Sequence, residues 1–493
     1  MLFGVCKGPS YEKAFDALAK MQESVDGVEI RLDLFSKVDA LQLKQLLKSW
    51  NKKVLLTFRK KSQGGGFGGD VEEQVKVWQQ LVLLEPDFID LEYDAPLSLY
   101  QMIKNNYPKI QILCSYHDFE KTPDKIEDVI AVMKKQPADI IKIASQANTS
   151  LDALKMMLWV KQSSERGEKV IGLCMGDTGK ITRILSPVVG NFMNYASFEQ
   201  ESTAPGQLTT DELFGVYHYG DLQRNTKVFV VIGYPVEKSI GPEIHNAVIS
   251  KLKRNAVYTK IPIQKEELPA FFDYVKKLSI FGGISVTMPL KEEVLVYLDE
   301  IDPEAKTIGA VNTIVFKQGR SIGYNTDGKG AIKALEQKIP LLAKKVIIIG
   351  AGGAAKAIVF AAMQKKAHVI VLNRTVQKAQ ELAAHFQCEA GSLSDLKELA
   401  RQGYDVIVNT TPDVMPIDEE DIVPSCIAMD IKTQPVLPTF LQKAQSKGCE
   451  IVYGWEMFMY QAVEQQGLWF VDAKQTSHTE QIVRGSIIDR LVL

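Results

Sequence analysis

The sequence predicts an α/β protein, a (β/α)8 barrel followed by a two-lobed α/β part, and three observations predict it. Eight short β-branched or apolar runs begin at Leu2, Gly27, Lys53, Asp87, Gln111, Ile140, Val170 and Phe192, 22 to 34 residues apart. Between them lie stretches with apolar residues at three- and four-residue spacing, among them Tyr11 to Ser24, Val71 to Leu84, Pro123 to Lys135 and Leu151 to Arg166, the pattern of amphipathic helices. After a short connection from Gly215 to Asn225, a new strand at Val228 to Gly233 starts a second α/β alternation that runs to Asp327 and resumes at Lys344. Eight strands alternating with helices in about 220 residues fit a small barrel. The rival arrangement is an open doubly wound sheet.

Composition bounds the partners. The 493 residues are 46% hydrophobic and 24% charged, with a formal net charge of -2, so at about 100 to 200 residues per domain two to four domains are expected. Near-neutral charge without basic runs argues against a nucleic-acid surface or a polybasic membrane anchor; small neutral or acidic molecules are the expected partners. The longest apolar stretch, Val346 to Met363, is broken by Gly350, Gly352, Gly353 and Lys356, so no membrane span is expected. Met1 to Lys7 has no long apolar core or transit-peptide character. The six cysteines are scattered without a C-x-x-C pair, which predicts reduced thiols, a cytoplasmic protein and no metal site.

Barrel chemistry collects at the carboxyl ends of strands. The polar residues there are Glu29 and Arg31 on the second strand, Arg59 ending the third, His117 ending the fifth, Lys142 on the sixth and Arg183 after the seventh. Lys142 places an ammonium within the apolar run Asp139-Ile140-Ile141-Lys142-Ile143-Ala144. Burial there lowers an amine towards the neutral, nucleophilic form that a Schiff-base lysine needs; otherwise it points to a solvated edge or pairs with Glu29. His117 reads either as a structural histidine or as the base for a proton α to an imine. Arg59, Arg183 and Gln207 read as clamps for a carboxylate and hydroxyls.

Six ordered segments carry a resemblance: Gly27-Val28-Glu29-Ile30-Arg31-Leu32-Asp33, Leu56-Thr57-Phe58-Arg59, Ser115-Tyr116-His117-Asp118-Phe119 with Lys121-Thr122-Pro123, Ile141-Lys142-Ile143-Ala144, Thr178-Gly179-Lys180-Ile181-Thr182-Arg183 and Ala204-Pro205-Gly206-Gln207. Together they resemble type I 3-dehydroquinate dehydratase across nearly all of residues 1–215. The resemblance implies that Lys142 forms an imine with the C3 ketone of 3-dehydroquinate and that His117 removes a C2 proton, then acts as an acid. It implies substrate binding by Glu29, Arg31, Arg59, Arg183, Thr203 and Gln207, with Met175 lining the pocket. One departure is Gln63, which stands where the family usually has a glutamate that orients the histidine; a weaker or alkaline-intolerant dehydratase is expected. The glycine-rich Gln63 to Gly69 reads as a flexible loop.

In the second half, Val346-Ile347-Ile348-Ile349 runs into Gly350-Ala351-Gly352-Gly353-Ala354-Ala355 and a helix, a Rossmann dinucleotide turn in which Gly350 bends the chain and Gly352 admits a pyrophosphate. The next strand ends in Asn373-Arg374-Thr375, without an acidic residue for a ribose hydroxyl. Arg374 suits the 2'-phosphate of NADP, or else is a surface arginine beside an NAD site. The lobe before this turn groups polar residues at strand ends, as a polyhydroxylated ring requires. Lys291, at a helix start where the dipole disfavours a cation, is either a surface lysine or, with Asp327, a proton-transfer pair.

The strings V-T-x-P-x-K, A-V-N-T, N-T-D-G, G-A-G-G-A, N-R-T and N-x-T make residues 226–493 similar to shikimate dehydrogenase. This implies catalysis by Lys291 and Asp327 and substrate binding by Ser239, Thr287, Asn312 and Gln461. It implies NADP on Gly350, Gly352, Gly353, Ala354, Asn373, Arg374, Thr375 and Lys378, with Asn409 and Thr410 nearby and Gly454 by the nicotinamide. The expected domains are a barrel at 1–222, a substrate-binding domain at 226–328 completed by a C-terminal helix at about 470–493, and a Rossmann domain at 329–469. The expected enzyme dehydrates 3-dehydroquinate to 3-dehydroshikimate and reduces that to shikimate with NADPH. Two departures touch substrate choice: the serine clamp reads Ser239-Ile240-Gly241-Pro242, and the tyrosine usual after the Asp430 strand is replaced around Lys432-Thr433. Room at Gly241 suggests some quinate activity; the alternatives are one noncatalytic half, or a barrel that is another Schiff-base lyase.

Overall fold

The computed structural model describes residues 1–21, 23–197, 205–470 and 476–491. They form two compact units, Met1–Lys227 with Asn255–Val257 and Pro269–Ile280, and Val228–Arg254 with Tyr258–Leu268 and Phe281–Leu493. In the first unit Leu2–Lys7 (β1), Gly27–Arg31 (β2), Lys53–Thr57 (β3), Phe88–Glu92 (β4), Gln111–Asp118 (β5), Ile140–Gln146 (β6), Val170–Met175 (β7) and Asn194–Ala196 (β8) form one parallel sheet. Each strand lies beside its sequence neighbour except β8, which returns to β1. The remaining seam is bridged where the chain approaches β8: the Phe192 N–H donates to the Val170 carbonyl (2.9 Å) and the Gly172 N–H to Asn191 Oδ1 (2.9 Å). A doubly wound sheet would reverse its strand order somewhere. This sheet never does, so the barrel expectation holds, with every strand starting within two residues of its expected position.

Alternation along a strand sends every second side chain inward. The inward series runs from apolar to polar on each strand: Phe88 then Asp90 on β4, Leu113 then Ser115 and His117 on β5, Ile140 then Lys142 on β6. The apolar half, with Phe3, Leu55 and Ile171, packs into one cluster that closes the barrel interior. The polar half is thereby gathered at the carboxyl ends. Helices shield the outer face, for example Ser150–Glu165, which buries Leu154, Met157 and Val160. The stretch expected from Pro123 to Lys135 is helical only over Ile126–Met133; Thr122, bonded to Ser145 and to the Gln146 carbonyl, holds the preceding chain against β6.

The loop expected to be flexible is tied down. The Lys61 N–H reaches the Phe67 carbonyl (2.8 Å), the Phe67 N–H the Arg59 carbonyl (3.1 Å), and the Gly66 N–H Asp33 Oδ2 (3.0 Å). A Cβ at Gly65 would collide with the Arg59 carbonyl oxygen, so glycine is there for close approach.

The second unit holds two sheets. Lys227–Gly233 (β9), Ala256–Pro262 (β10), Phe281–Val286 (β11), Glu300–Ile301 (β12), Thr313–Lys317 (β13) and Arg320–Tyr324 (β14) are ordered β10-β9-β11-β13-β14-β12, with β9 and β11 parallel and β13 and β14 a hairpin. Lys345–Ile349 (β15), His368–Leu372 (β16), Glu389–Gly391 (β17), Val406–Asn409 (β18), Ile427–Asp430 (β19) and Glu450–Val452 (β20) form a parallel sheet ordered β17-β16-β15-β18-β19-β20. Its order reverses between β15 and β18, the switch point where open α/β sheets bind ligands. The C-terminal helix Thr476–Leu491 buries Ile482, Val483 and Ile487 in a core shared with Ile244 and Val248 of the helix Gly241–Lys251.

Gly65→Ala is expected to destabilise the first unit by about 1–3 kcal/mol, read as a lower denaturant midpoint. Gly215→Ala, whose Cβ would meet nothing within 4 Å, should leave the midpoint in place.

Candidate active sites

In the barrel, Lys142 is 4% exposed and points inward. Its Nζ bonds Asp90 Oδ2 at 2.7 Å and lies 3.9 Å from Glu29 Oε1. Of the two arrangements open from sequence, the solvated edge is excluded, and the pairing falls mainly on Asp90 rather than Glu29. Asp90 is itself saturated: Arg59 Nη2 donates to Oδ2 at 2.9 Å and Ser115 Oγ to Oδ1 at 2.6 Å. Glu29 accepts from Thr57 Oγ1 (2.7 Å), and Arg31 clasps Asp33 with two bonds of 3.1 and 2.8 Å.

Burial opposes charge here, and the outcome differs by group. Desolvation lowers the Lys142 amine below its ordinary range, even with Asp90 and Glu29 pulling the other way. Asp90 is held well below the usual carboxylate range by Lys142 and Arg59, which outweigh its own burial. His117 is pushed well below its ordinary 6.5, first by burial and then by Arg59 and Lys142, so its imidazole is neutral near pH 7. Arg183 is lowered to about 10 by burial, and its Nε is buried without a hydrogen-bond partner among the described residues. A buried guanidinium without a carboxylate is an anion receptor.

Gln63 does reach His117, but at the main chain. Its Oε1 accepts the His117 N–H at 3.0 Å, while the imidazole Nδ1 is buried and unpartnered among the described residues. Met175 is buried at the end of β7. Gln207 is half-buried in the segment after β8, and Thr203 lies outside the described residues.

In the second unit two cavities adjoin. One, of about 860 Å3, lies over Gly350, Gly352, Gly353 and Ala354 at the start of the helix Gly353–Gln364 and is rimmed by Asn373, Arg374, Thr375 and Lys378. Gly350 has φ +114, and a Cβ there would strike Thr410. The exposed Arg374 and Lys378 make no ion pair among the described residues, which leaves two cations for a phosphate. The other cavity, of about 500 Å3, is lined by Ser239, Asn312, Asp327 and Gln461, and Thr287 and Lys291 face both.

At that shared wall Lys291 Nζ is bonded to Asp327 Oδ2. Asn312 Nδ2 fixes the other carboxylate oxygen at 2.8 Å, and the Asp327 N–H is held by Asn325 Oδ1 at 3.0 Å. Lys291 is thus paired, not a plain surface lysine. Thr410 lines the larger cavity and Gly454 the smaller. Asn409 does neither: its amide bonds Asp430 and the Asp413 carbonyl and accepts from Thr411, shaping the loop.

The space expected beside Gly241 is filled. A Cβ there would stand 3.0 Å from the Tyr258 ring and 3.2 Å from Ser239 Oγ. Lys432 turns away to the Thr411 and Asp413 carbonyls, leaving Thr433 at the cavity. Sequence reasoning missed Asp90 and Tyr258. Asp90 had a signal, since Phe88-Ile89-Asp90-Leu91-Glu92 puts carboxylates in an apolar strand just as Lys142 puts an ammonium in one.

Comparison with known proteins gives the same division. Family models match at residues 5–223 (type I 3-dehydroquinase), 231–314 (shikimate dehydrogenase substrate binding domain) and 333–437 (shikimate / quinate 5-dehydrogenase). The shikimate biosynthesis protein AroDE of Chlamydia pneumoniae is 36% identical over 484 residues, 96% of each chain. The chloroplastic bifunctional 3-dehydroquinate dehydratase/shikimate dehydrogenase of Arabidopsis thaliana is 34% identical over 92% of this chain and 79% of its own. Among solved structures, a shikimate dehydrogenase in complex with NADP+ is 32% identical, with a TM-score of 0.50, over 55% of this chain and 97% of that one.

Because His117 stays neutral as the pH falls through 6.5, the acid limb of kcat/KM for chemistry in the barrel is expected below pH 6.5. Gln63→Glu keeps an acceptor for the His117 N–H and adds a charge that favours imidazolium, so the limb should move to higher pH. Superimposable pH-rate profiles of the two proteins would contradict this.

Proposed function

The chain belongs to the bifunctional 3-dehydroquinate dehydratase/shikimate dehydrogenase family, and from that membership we propose which of its residues carry each of the two reactions. It dehydrates 3-dehydroquinate to 3-dehydroshikimate and reduces this to shikimate with NADPH, two steps of the shikimate pathway. The observation that carries the residue assignment is that each candidate site holds a lysine side chain hydrogen-bonded to a buried aspartate, Lys142 to Asp90 and Lys291 to Asp327.

In the barrel, the Lys142 amine attacks the C3 ketone of 3-dehydroquinate, and loss of water leaves an imine. Neutral His117 takes a proton from C2; the electrons form the ring double bond as the C1 hydroxyl departs, protonated by the imidazolium. Water then frees Lys142. Arg183 and Arg59 face the substrate's carboxylate and hydroxyls, with Glu29, Arg31, Thr203 and Gln207 completing the set. Met175 lines the site.

In the second unit, the glycine turn, the helix start and the Arg374/Thr375/Lys378 rim fit a dinucleotide carrying a 2'-phosphate, with Asn373 shaping the rim. NADPH, when bound, supplies the hydride. Lys291, held by Asp327, passes a proton to the ketone oxygen as it becomes an alcohol. Ser239, Thr287, Asn312 and Gln461 hold the ring, Thr410 and Gly454 flank the cofactor, and Asn409 supports that loop. Tyr258 fills the space at Gly241, so nothing favours quinate over shikimate as the substrate.

The reading divides the chain at 1–222 for dehydration, 226–328 with the C-terminal helix for substrate, and 329–469 for NADP. No helix of the described residues is long and apolar enough to cross a membrane. The free thiols support a reducing compartment, the cytoplasm, and the absence of basic runs supports small-molecule partners over nucleic acid.

Lys142→Ala is expected to lower dehydration by on the order of 10^4-fold and spare reduction of 3-dehydroshikimate, with Lys291→Ala doing the reverse. Separate assays of each step check this, and loss of both activities in either variant would count against it. Arg374→Ala should raise the KM for NADPH on the order of 10-fold while kcat holds, measured by initial rates against NADPH and NADH.

A further inference from the structure

Tyr195 on β8 is the one tyrosine whose hydroxyl is buried without a hydrogen-bond partner among the described residues. The residue is 4% exposed, and its ring face holds Lys142 Nζ at 4.4 Å from the centroid. The phenol lies within electrostatic reach of Glu29, Asp90, Arg59 and Arg183, the groups around the nucleophile. Burial and those carboxylates keep it protonated. A buried hydroxyl without a partner costs about 1–3 kcal/mol, and phenylalanine would fill the same volume in this apolar cluster of Phe3, Phe88 and Leu113 at no such cost. An orphan of this kind calls for a ligand atom.

Resting on the reading that Lys142 attacks a ketone, we propose that Tyr195 is a further catalytic residue of the dehydratase. Its ring holds the Lys142 nitrogen by a cation–π contact. Its hydroxyl donates to the oxygen on the carbon that Lys142 attacks. That oxygen becomes the carbinolamine hydroxyl once the C–N bond forms. It leaves as water when the C–O bond breaks and the nitrogen lone pair closes the imine. Neutral His117 relays the two protons of the attacking nitrogen to that oxygen in turn, the first giving the hydroxyl and the second letting it leave as water, and Tyr195 keeps its own. The phenol thus fixes which face of the ketone meets Nζ and polarises the bond that breaks.

Tyr195→Phe deletes this one oxygen and keeps the ring over Lys142. The experiment measures kcat for dehydration and the rate at which sodium borohydride traps the Lys142 imine with 3-dehydroquinate. Reduction of 3-dehydroshikimate and thermal unfolding serve as fold controls. Expected are falls of about 10- to 100-fold in kcat and in trapping rate, with the controls unchanged or the unfolding temperature raised. Unchanged kcat, or lowered kcat with trapping as fast as in the unaltered protein, would overturn the proposal. If the unaltered protein itself were not trapped at Lys142, the reading of the barrel would fail instead.

Discussion

An ammonium cannot be buried alone, and the interior of the barrel follows from how Lys142 is compensated. One carboxylate, Asp90, serves both Lys142 and Arg59, with Ser115 on its other oxygen. Sharing leaves the cations incompletely neutralised. Desolvation therefore still wins at Lys142, which is drawn towards the free amine, while burial first and the neighbouring cations second keep His117 neutral. Had Glu29 also closed on Lys142, the amine would be held as an ammonium.

The second unit meets the same constraint differently. Lys291 and Asp327 are matched one to one, and Asn312 and the Asp327 main chain hold the carboxylate in place. The lysine is thereby oriented and open to two cavities. The dinucleotide side is built from backbone, a glycine turn and a helix start, so it needs few particular side chains. The exposed cations Arg374 and Lys378 stand at its rim.

Strand starts were legible because period-two and helical periodicities are local, and the glycine turn was legible because only glycine makes it. Lys142 was legible because a charge in an apolar run breaks a local rule; Lys291 was singled out as a cation at a helix start, but it lies in a turn ahead of the short 3-10 helix Glu293–Tyr297, so what marked it correctly was the V-T-x-P-x-K string. Gln63 was misread in detail: its identity was plain, but whether its amide would meet the imidazole or the main chain of His117 depends on a turn closed by Gly65 and Gly66. The same turn made a run of glycines look like a flexible loop. Gly241 was misread because it opens a helix, and the tyrosine that fills its space comes from the strand β10.

By itself the sequence determined the two chemistries and named the candidate residues for them, since both are written in contiguous strings around strand ends. Only the tertiary structure decided who pairs with whom: Asp90 rather than Glu29 beside Lys142, the Tyr195 ring under the same nitrogen, Tyr258 against Gly241. Those choices are made across strands by packing and by the need to satisfy buried charge, and neither has a signature in local spacing.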